Sequence, residues 1–325
     1  MDLSIIIINW NSLNYTRQCL RSLQASDLRL THEILVADGG SFDGSDAMIA
    51  SEFPGVRFIQ IKDNVGFAAA NNIAAKQAQG ELVLFLNPDT EVEKGSIDRL
   101  VETFRTLTKP GVVGCQLLNT DGTLQTSCVQ SYPTLLNQML NSDFLRDLFP
   151  NSHLWGMEAL FNRKEAPQGV EAVSGACMLA HREVFESVKG FSEDYFMYAE
   201  DIDLCLKLSR AGFVNYYAPH VKIVHHGGGS SQTAASKFSC VMMVEATFRF
   251  LKKFQTARYA FGFRMLMFAK AAIRVLVLAI AIPFAAIAGR AAAVKGSLAK
   301  WYYILKWGLG LESWTDKLRP KRNSA

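Results

Sequence analysis

The sequence lacks paired cysteines, since the six cysteines are scattered over 325 residues and none form a C-x-x-C motif. This spacing argues against a disulfide framework and against a cysteine zinc site. Nine prolines and 23 glycines are too few for a collagen-like or low-complexity chain. Hydrophobic residues make up 49% of the chain, too large a share for a disordered protein. The composition therefore predicts a folded protein of one large domain or two ordinary ones.

Acidic residues are scarce in the last quarter of the chain. Residues 249–325 contain 15 lysines and arginines but only Glu312 and Asp316 as acids, a net charge of +13. The first 248 residues carry a net charge of −9, so the overall +4 hides two unlike parts. We therefore predict a division into residues 1–235 and residues 236–325.

Short β-branched runs alternate with helical patterns in the first 90 residues. Strands are predicted at 4–8, 33–37, 56–61 and 81–86, and helices at 15–23 and 66–79. Strands that alternate with helices predict an α/β fold with parallel strands and right-handed crossovers. Residues 119–122 are typical of a hairpin turn, and 131–169 carry so few signals that we expect a mobile loop.

Polar residues follow three of these strands at their carboxyl ends. Asn9 and Asn11 follow the first strand, Asp38 ends the second, and Asn87 and Asp89 follow the fourth. Each alone is also ordinary turn chemistry. Sheets of this kind bind ligands beyond the carboxyl ends of their strands, so the three together favour a binding site.

Two of these positions suit a diphosphate ligand. A carboxylate such as Asp89, at the end of a buried strand, can hold Mg²⁺ or Mn²⁺ against substrate phosphates. Asn87 could donate to a ribose hydroxyl. His225 lies beside glycines after a strand-like run, where an imidazole can reach a metal or a phosphate. A solvated surface histidine is the alternative.

Three carboxylates lie within four residues at Glu200, Asp201 and Asp203, after an aromatic run at 195–198. Acids early in a helix also suit its dipole, which is the simpler interpretation. Aromatic surroundings partly desolvate a carboxylate and make it more basic. Such a group can take a proton from an attacking hydroxyl.

Taken in order, the motifs resemble the family-two inverting glycosyltransferases of GT-A fold, and within them the bacterial rhamnosyltransferases. The resemblance covers about residues 3–232. It is carried by Asn9-x-Asn11, Asp38-Gly-Gly-Ser41, Asn64-Val-Gly66 with Asn71-Asn72, Asn87-Pro88-Asp89, Gly175, Gly190-Phe191-x-Glu193, Glu200-Asp201-x-Asp203 and His225-x-Gly227-Gly228-x-Ser230.

The resemblance implies roles for these residues. Asp38 would contact the nucleobase or ribose, and the remaining nucleotide-sugar contacts would come from Asn9, Asn11, Asn64, Gly66, Asn72 and Asn87. Asp89 would bind the metal, in the place of the family's D-x-D motif. Here Asn87 replaces the first aspartate of that motif, so the metal site has one charge fewer.

The remaining roles concern the reaction itself. The resemblance implies that His225 completes the metal or diphosphate site. Asp201 would be the catalytic base, Glu200 would assist it, and Asp203 would help to position the acceptor.

The implied reaction moves a sugar, rhamnose or another deoxyhexose, from a nucleotide-diphosphate donor. The acceptor would be a glycan or a polyprenyl-diphosphate-linked sugar in cell-surface polysaccharide synthesis, with Mg²⁺ or Mn²⁺ as cofactor. A processive polysaccharide synthase is one alternative, but no tryptophan here follows an arginine as its Q-x-x-R-W motif requires. A non-catalytic nucleotide-sugar-binding scaffold is another, and it should have lost Asp89 or the Glu200-Asp201 pair.

The basic tail predicts contact with a membrane surface. Val241–Ala269 suits an amphipathic interfacial helix. Val275–Gly289 holds 15 uncharged residues, fewer than the roughly 20 that a span requires, so we favour an interfacial or re-entrant segment over one span. The tail is too apolar and aromatic for a nucleic-acid partner. We expect residues 236–325 to hold the protein at the cytoplasmic face of a bacterial inner membrane.

Overall fold

The computed structural model describes residues 1–161, 164–227, 236–287 and 291–318. The chain forms two compact units. The first, the sheet unit, comprises Met1–Tyr132, Arg146–Glu193 and Glu200–Gln232, and the second, the helical unit, comprises Pro133–Leu145, Asp194–Ala199 and Thr233–Ala325. The predicted boundary after residue 235 falls at the edge of 228–235, outside the described residues, and stays a prediction.

The strands all belong to the sheet unit. In chain order they are β1 (Leu3–Asn9), β2 (His32–Asp38), β3 (Arg57–Gln60), β4 (Leu82–Leu86), β5 (Thr90–Val92), β6 (Pro110–Leu118), β7 (Val129–Gln130), β8 (Gln168–Val170), β9 (Ala172–Val173), β10 (Cys177–His181) and β11 (Val214–His225).

The helices are distributed over both units. They are α1 (Leu13–Ala25), α2 (Ser45–Glu52), α3 (Phe67–Ala75), α4 (Ser96–Thr106), α5 (Leu135–Leu140), α6 (Asp143–Leu148), α7 (Glu158–Phe161), α8 (Arg182–Ser187), α9 (Glu200–Arg210), α10 (Lys237–Phe254), α11 (Ala257–Ile287), α12 (Ala291–Gly308) and α13 (Trp314–Lys317). A 3₁₀ turn occupies Thr126–Cys128.

Within the described residues, nine strands form one mixed sheet in the order β3-β2-β1-β4-β10-β6-β11-β5, with β8 beside β11. Strand β1 runs parallel to both of its neighbours, β2 and β4. Its side chains Ile5, Ile6 and Ile7 have no exposed surface, since both faces of the sheet are covered. Strand β10 is antiparallel to β4 and β6, which makes the sheet mixed.

The predicted elements of the first 90 residues are confirmed to within a few residues, and helix α2 is an addition. The turn at 119–122 is also confirmed, because Gly122 N donates to Asn119 O at 2.9 Å. The expectation of a loop over 131–169 is wrong for much of its length. Short helices α5, α6 and α7 form there, and α5 is held at its start by Thr134, whose hydroxyl accepts from Asn137 N.

In the helical unit, the prediction of one continuous helix over 241–269 is wrong. Helix α10 ends at Phe254 and α11 begins at Ala257. The break follows from capping, because the Thr256 hydroxyl accepts a hydrogen bond from Tyr259 N at 3.1 Å. Helix α11 then continues past Pro283.

One helix in the described part of the chain, over Ala257–Phe284, has the length and apolar composition needed to cross a membrane. An 18-residue window within it has a mean hydropathy of 2.2, and 11% of that window is buried within the protein. The interfacial or re-entrant segment over 275–289 stays a prediction, and its last two residues lie outside the described residues.

Candidate active site

The ends of β1 and β2 meet at a buried carboxylate. Asn9 and Asp38 are register partners, and Asn9 Nδ2 donates to Asp38 Oδ1 at 2.7 Å. Ser41 donates its hydroxyl to Oδ1 at 2.6 Å and its backbone N–H to Oδ2 at 2.8 Å. Gln60, at the end of β3, donates to Oδ2 at 3.1 Å. These donors fix the Asp38 carboxylate in a single orientation.

The loops after β1 and β2 are tied together by Asn11. Its backbone N–H donates to the Ser41 hydroxyl at 2.8 Å, and its side-chain oxygen accepts from Phe42 N at 3.0 Å. Asn11 has a φ of 48°, a conformation that asparagine tolerates better than most residues. The two strand ends therefore present one connected polar rim.

The start of helix α3 carries two more predicted residues. Gly66 has a φ of 86°, which favours glycine, and its N–H donates to Asn64 Oδ1 at 3.0 Å. Asn72, one turn and a half further on, exchanges two hydrogen bonds with the backbone of Phe191 at 2.9 Å each. Asn72 thus holds the 190–193 segment, and its predicted contact with a nucleotide stays a prediction.

Asp89 and His225 are brought together by the pairing of β5 with β11. Asp89 is 3% exposed, and its Oδ1 lies 3.3 Å from His225 Nε2. Asn87 Nδ2 lies 3.3 Å from the same nitrogen. Among the described residues, no group of three or more His, Cys, Asp or Glu side chains could hold a metal ion. A cation here would take two protein ligands.

The protonation of His225 follows from its neighbour Gln125. The Gln125 amide nitrogen donates to His225 O at 2.8 Å and to Asn119 Oδ1 at 2.9 Å, so its oxygen Oε1 faces His225 Nδ1, 2.8 Å away. In the neutral imidazole Nδ1 then carries the proton, and the lone pair lies on Nε2. A lone pair and the Asp89 carboxylate converge on one point, an arrangement that fits a bound cation.

The carboxylates Glu200 and Asp201 begin helix α9. Asp201 Oδ2 accepts from Gly175 N at 2.9 Å, and Oδ1 accepts from Ile202 N at 2.8 Å. Burial raises the pKa of Asp201, and these backbone donors oppose the rise. Two residues just before the helix, Tyr198 and Ala199, have φ values of 71° and 64°. Such backbone strain is common at functional sites.

Glu200 is more deeply buried than Asp201, with 6% of its surface exposed. Its Oε2 has no hydrogen-bond partner among the described residues. Burial, and next the charge of Asp201, raise the pKa of Glu200 to about 8. Because the charge of Asp201 is among the causes of this rise, Glu200 keeps its proton to higher pH than Asp201 does.

Asp203 has no exposed surface. It accepts a short hydrogen bond from Ser192 and lies 3.7 Å from Lys207 Nζ. Lys207 also donates to the carbonyls of Val188 and Gly190. The contacts described here for Asp203 are with other side chains of the protein. Its predicted contact with an acceptor stays a prediction.

A short backbone path joins the carboxylate of Asp201 to the Asp89–His225 corner. Gly175 donates to Asp201, and the next residue, Ala176, accepts from Asn87 N at 3.0 Å. Asn87 is two residues from Asp89. The predicted base and the predicted metal ligands therefore lie at one end of the sheet, around the start of β10.

Sequence reasoning missed several supporting residues, above all Gln125 and Gln60. Gln125 is 100 positions away from His225 and belongs to no motif, so the sequence holds no signal of its role. Gln60 ends β3 as the structure has it, one residue before the end of the strand predicted over 56–61, so a sharper strand boundary could have found it. Gly228 and Ser230, part of the resemblance, lie outside the described residues.

The family profile described as Glycosyl transferase family 2 matches residues 4–188. This match spans more than half of the chain. The chain belongs to glycosyl transferase family 2. The profile includes Asn9, Asp38 and Asp89 and ends before helix α9.

Two curated relatives of this family member are rhamnosyltransferases. The N-acetylglucosaminyl-diphospho-decaprenol L-rhamnosyltransferase of Mycobacterium tuberculosis is 29% identical over 242 residues, which cover 70% of this chain and 77% of the relative. Rhamnosyltransferase WbbL of Escherichia coli (strain K12) is 27% identical over 263 residues, which cover 77% of this chain and 92% of the relative.

A solved structure of similar fold is the mannosyltransferase PcManGT from Pyrobaculum calidifontis, in complex with GDP-Man and Mn²⁺. It superposes with a TM-score of 0.58 at 18% identity, and the match covers 97% of this chain and 87% of that one. The glycosyltransferase thus has the GT-A fold that its sequence predicts.

Proposed function

We propose that this glycosyltransferase inverts the anomeric centre of a nucleotide-diphospho-sugar, with Asp201 as the base that activates the acceptor hydroxyl. The observation that carries the proposal is the short path through Gly175 and Ala176, which sets Asp201 at the same sheet end as Asp89 and His225. A base near a diphosphate corner is the arrangement that a single in-line displacement needs.

The reaction proceeds in one step. The acceptor hydroxyl gives its proton to Asp201 as its oxygen forms a bond to C1 of the sugar. The bond between C1 and the diphosphate oxygen breaks, and the nucleoside diphosphate departs as an anion. No protein nucleophile is needed, and the configuration at C1 inverts. The raised pKa of Asp201 suits it to accept this proton.

Asp89 and His225 are the residues that would hold a divalent cation, Mg²⁺ or Mn²⁺, and diphosphate oxygens would complete its shell. When bound, the cation supplies positive charge to the departing diphosphate. Asn87 is proposed to contact the donor beside it. Asp38, with Asn9 and Asn11, is proposed to hold the nucleoside end of the donor; Asn64, Gly66 and Asn72 are proposed to line the same cleft.

The donor and acceptor classes are supported by the relatives. Both relatives reported above are rhamnosyltransferases, and one is named for a diphospho-decaprenol-linked acceptor. We propose that this enzyme transfers rhamnose, or another deoxyhexose, to a polyprenyl-diphosphate-linked sugar or glycan in the synthesis of a cell-surface polysaccharide.

We also propose that the helical unit docks on the cytoplasmic face of the bacterial inner membrane. Its net positive charge and the apolar helix α11 support this docking. The sheet unit carries most of the acids, which an anionic membrane would repel.

A panel of nucleotide sugars, with Mn²⁺ or Mg²⁺, tests the proposal that this protein transfers a sugar. A true donor should raise the melting temperature by mass action, and adding a lipid-linked acceptor should release the nucleoside diphosphate. Proton NMR of the product should show the anomeric configuration opposite to that of the donor. Absence of nucleoside diphosphate release with every donor and metal would overturn the proposal.

A further inference from the structure

Helices α11 and α12 of the helical unit pack as an antiparallel pair. Arg264, early in α11, donates to the carbonyl of Trp307 at 2.8 Å, near the end of α12. Trp301, earlier in α12, lies beside Arg274, later in α11. Close packing at Gly308 supports this pairing, since a Cβ there would lie 2.8 Å from Phe268 Cβ.

The side chains of helix α11 become more exposed beyond the middle of the helix. In its first half, Ala260, Phe263 and Ala271 are buried in the helical unit. Beyond Ala271 five large apolar side chains are exposed by between 54% and 68%, and Val275, Leu278 and Ile282 are half-buried. The five are Ile273, Leu276, Val277, Ile280 and Phe284. An exposed apolar face of this extent marks an interaction surface. Between residues 272 and 284 of α11 no side chain is fully buried.

Three cations surround one indole ring at this same level. Arg274 Cζ lies 5.8 Å from the centre of the Trp301 ring, Lys270 Nζ 5.9 Å and Lys300 Nζ 6.0 Å. We call these four residues the Trp301 cluster. No carboxylate of the described residues forms an ion pair with its cations. The acids Glu245, Glu312 and Asp194 pair elsewhere, with Arg249, Lys237 and Lys253.

The Lys270 ammonium group has a structural role as well. It donates to three carbonyls at the end of α5, those of Gln138, Met139 and Asn141, at 3.1, 3.1 and 2.9 Å. These neutral acceptors hold the amine in place without cancelling its charge. Arg274 and Lys300 are exposed and make no comparable contact among the described residues. The positive charge of the cluster is therefore available to an anion.

We propose that the Trp301 cluster binds the headgroup phosphates of anionic phospholipids, at the level where the α11–α12 pair enters one leaflet of the membrane. The inference rests on the proposed membrane docking and adds to it the residues and the lipid class. Indole rings and cations are favoured at the membrane–water boundary, and exposed apolar side chains are favoured just below it. The cluster and the exposed face of α11 follow that order along the helix.

The length of the exposed face limits the depth of insertion. Val275–Phe284 contains ten residues, which extend about 15 Å at 1.5 Å per residue, half of a hydrocarbon core about 30 Å thick. A full span over 257–284 would carry Lys270 and Arg274 into hydrocarbon, where cations are costly. Insertion into one leaflet leaves Lys270 and Arg274 at the phosphates. The exposed Lys295 of α12 then starts about 9 Å below Trp301, and its long side chain reaches back toward the headgroups. A soluble phosphate ligand would leave the apolar face exposed to water, so the lipid is the better occupant.

Vesicle co-sedimentation of the full chain tests this proposal. The vesicles are phosphatidylcholine alone, phosphatidylcholine with 25% phosphatidylglycerol, and phosphatidylcholine with 2% of a polyprenyl diphosphate. The test variant is Arg274→Gln/Lys300→Gln, which leaves the Lys270 contacts intact. The matched control is Lys252→Gln/Lys317→Gln, which removes two exposed cations from the same unit. Melting curves check that both variants fold.

The wild-type protein should prefer the phosphatidylglycerol vesicles, and the preference should weaken with salt. The test variant should lose about 30-fold in affinity for them, about fivefold per cation, and the control much less. Equal losses in test and control, or no phosphatidylglycerol preference, would overturn the site. Binding that needs the polyprenyl diphosphate and ignores phosphatidylglycerol would also overturn it. If the wild-type protein binds none of the vesicles, the proposed membrane docking itself would be contradicted.

Discussion

Gln125 determines which nitrogen of His225 carries the proton. The Gln125 amide is oriented by its donations to His225 O and Asn119 Oδ1, so its oxygen accepts from Nδ1 at 2.8 Å. In the neutral ring Nε2 is therefore the nitrogen with the lone pair, and it faces Asp89 Oδ1 at 3.3 Å. A side chain that touches neither substrate nor metal thus prepares an imidazole to act as a ligand.

Gln125→Leu should weaken metal binding without unfolding the protein. Losing the partner of a ligating histidine costs about 10–100-fold in metal affinity. Calorimetric titration of Mn²⁺ in the presence of a nucleoside diphosphate measures this loss, and ¹⁵N NMR should show His225 changing from one tautomer to a mixture. Gln79→Leu, at an exposed glutamine, is the control. An unchanged tautomer with unchanged affinity would show that Gln125 does not position His225.

Asp201→Asn should abolish transfer and spare donor binding. The amide keeps an oxygen for Gly175 N but cannot take a proton, so kcat should fall by about 10²–10⁴-fold. Nucleotide-sugar affinity, measured by calorimetry, should stay within about twofold. Asp46→Asn, at an exposed acid of α2, serves as the control. Lost donor affinity would instead assign Asp201 to the nucleotide site.

Glu200→Gln should stabilise the protein increasingly as pH rises. The pKa of Glu200 is about 8 in the folded state against an ordinary 4.5, so the folded protein holds this proton more tightly than the unfolded chain does. The stability from this group is complete below pH 4.5 and is lost between pH 4.5 and about 8. Glutamine stays neutral and avoids the loss.

Melting curves at pH 5, 6.5 and 8 measure this effect as the difference between the variant and the wild type. The difference should widen with pH. Glu183→Gln, at an exposed acid of α8, should show no such trend. A difference independent of pH would mean that Glu200 titrates as an ordinary carboxyl.

Lys207→Met should destabilise the sheet unit. It removes a cation 3.7 Å from the fully buried Asp203 carboxylate, together with its bonds to the carbonyls of Val188 and Gly190. Breaking a buried ion pair from one side costs about 3–5 kcal/mol. Urea unfolding should show that loss as a lower midpoint, whereas Lys76→Met at an exposed site should change it little. A loss below about 1 kcal/mol would show that the burial of Asp203 does not depend on Lys207.

Much of the sheet unit could be predicted from local patterns. The β-branched run Ile5–Ile8 forms a buried strand, and the polar residues at the strand ends face one rim because parallel strands end on the same side. The 131–169 segment could not be predicted in this way. Its helices are short, and their apolar residues do not repeat for long enough to give a period.

The sequence by itself determined the family, the fold class, the carboxylates at the strand ends and the division of charge between acidic body and basic tail. Only the tertiary structure decided which residues support the site. Gln125 reaches His225 across 100 positions, and Lys270 and Arg274 reach Trp301 between two helices. Local patterns record periodicity and turn chemistry along the chain. Contacts between distant segments depend on packing, and no short-range pattern encodes them.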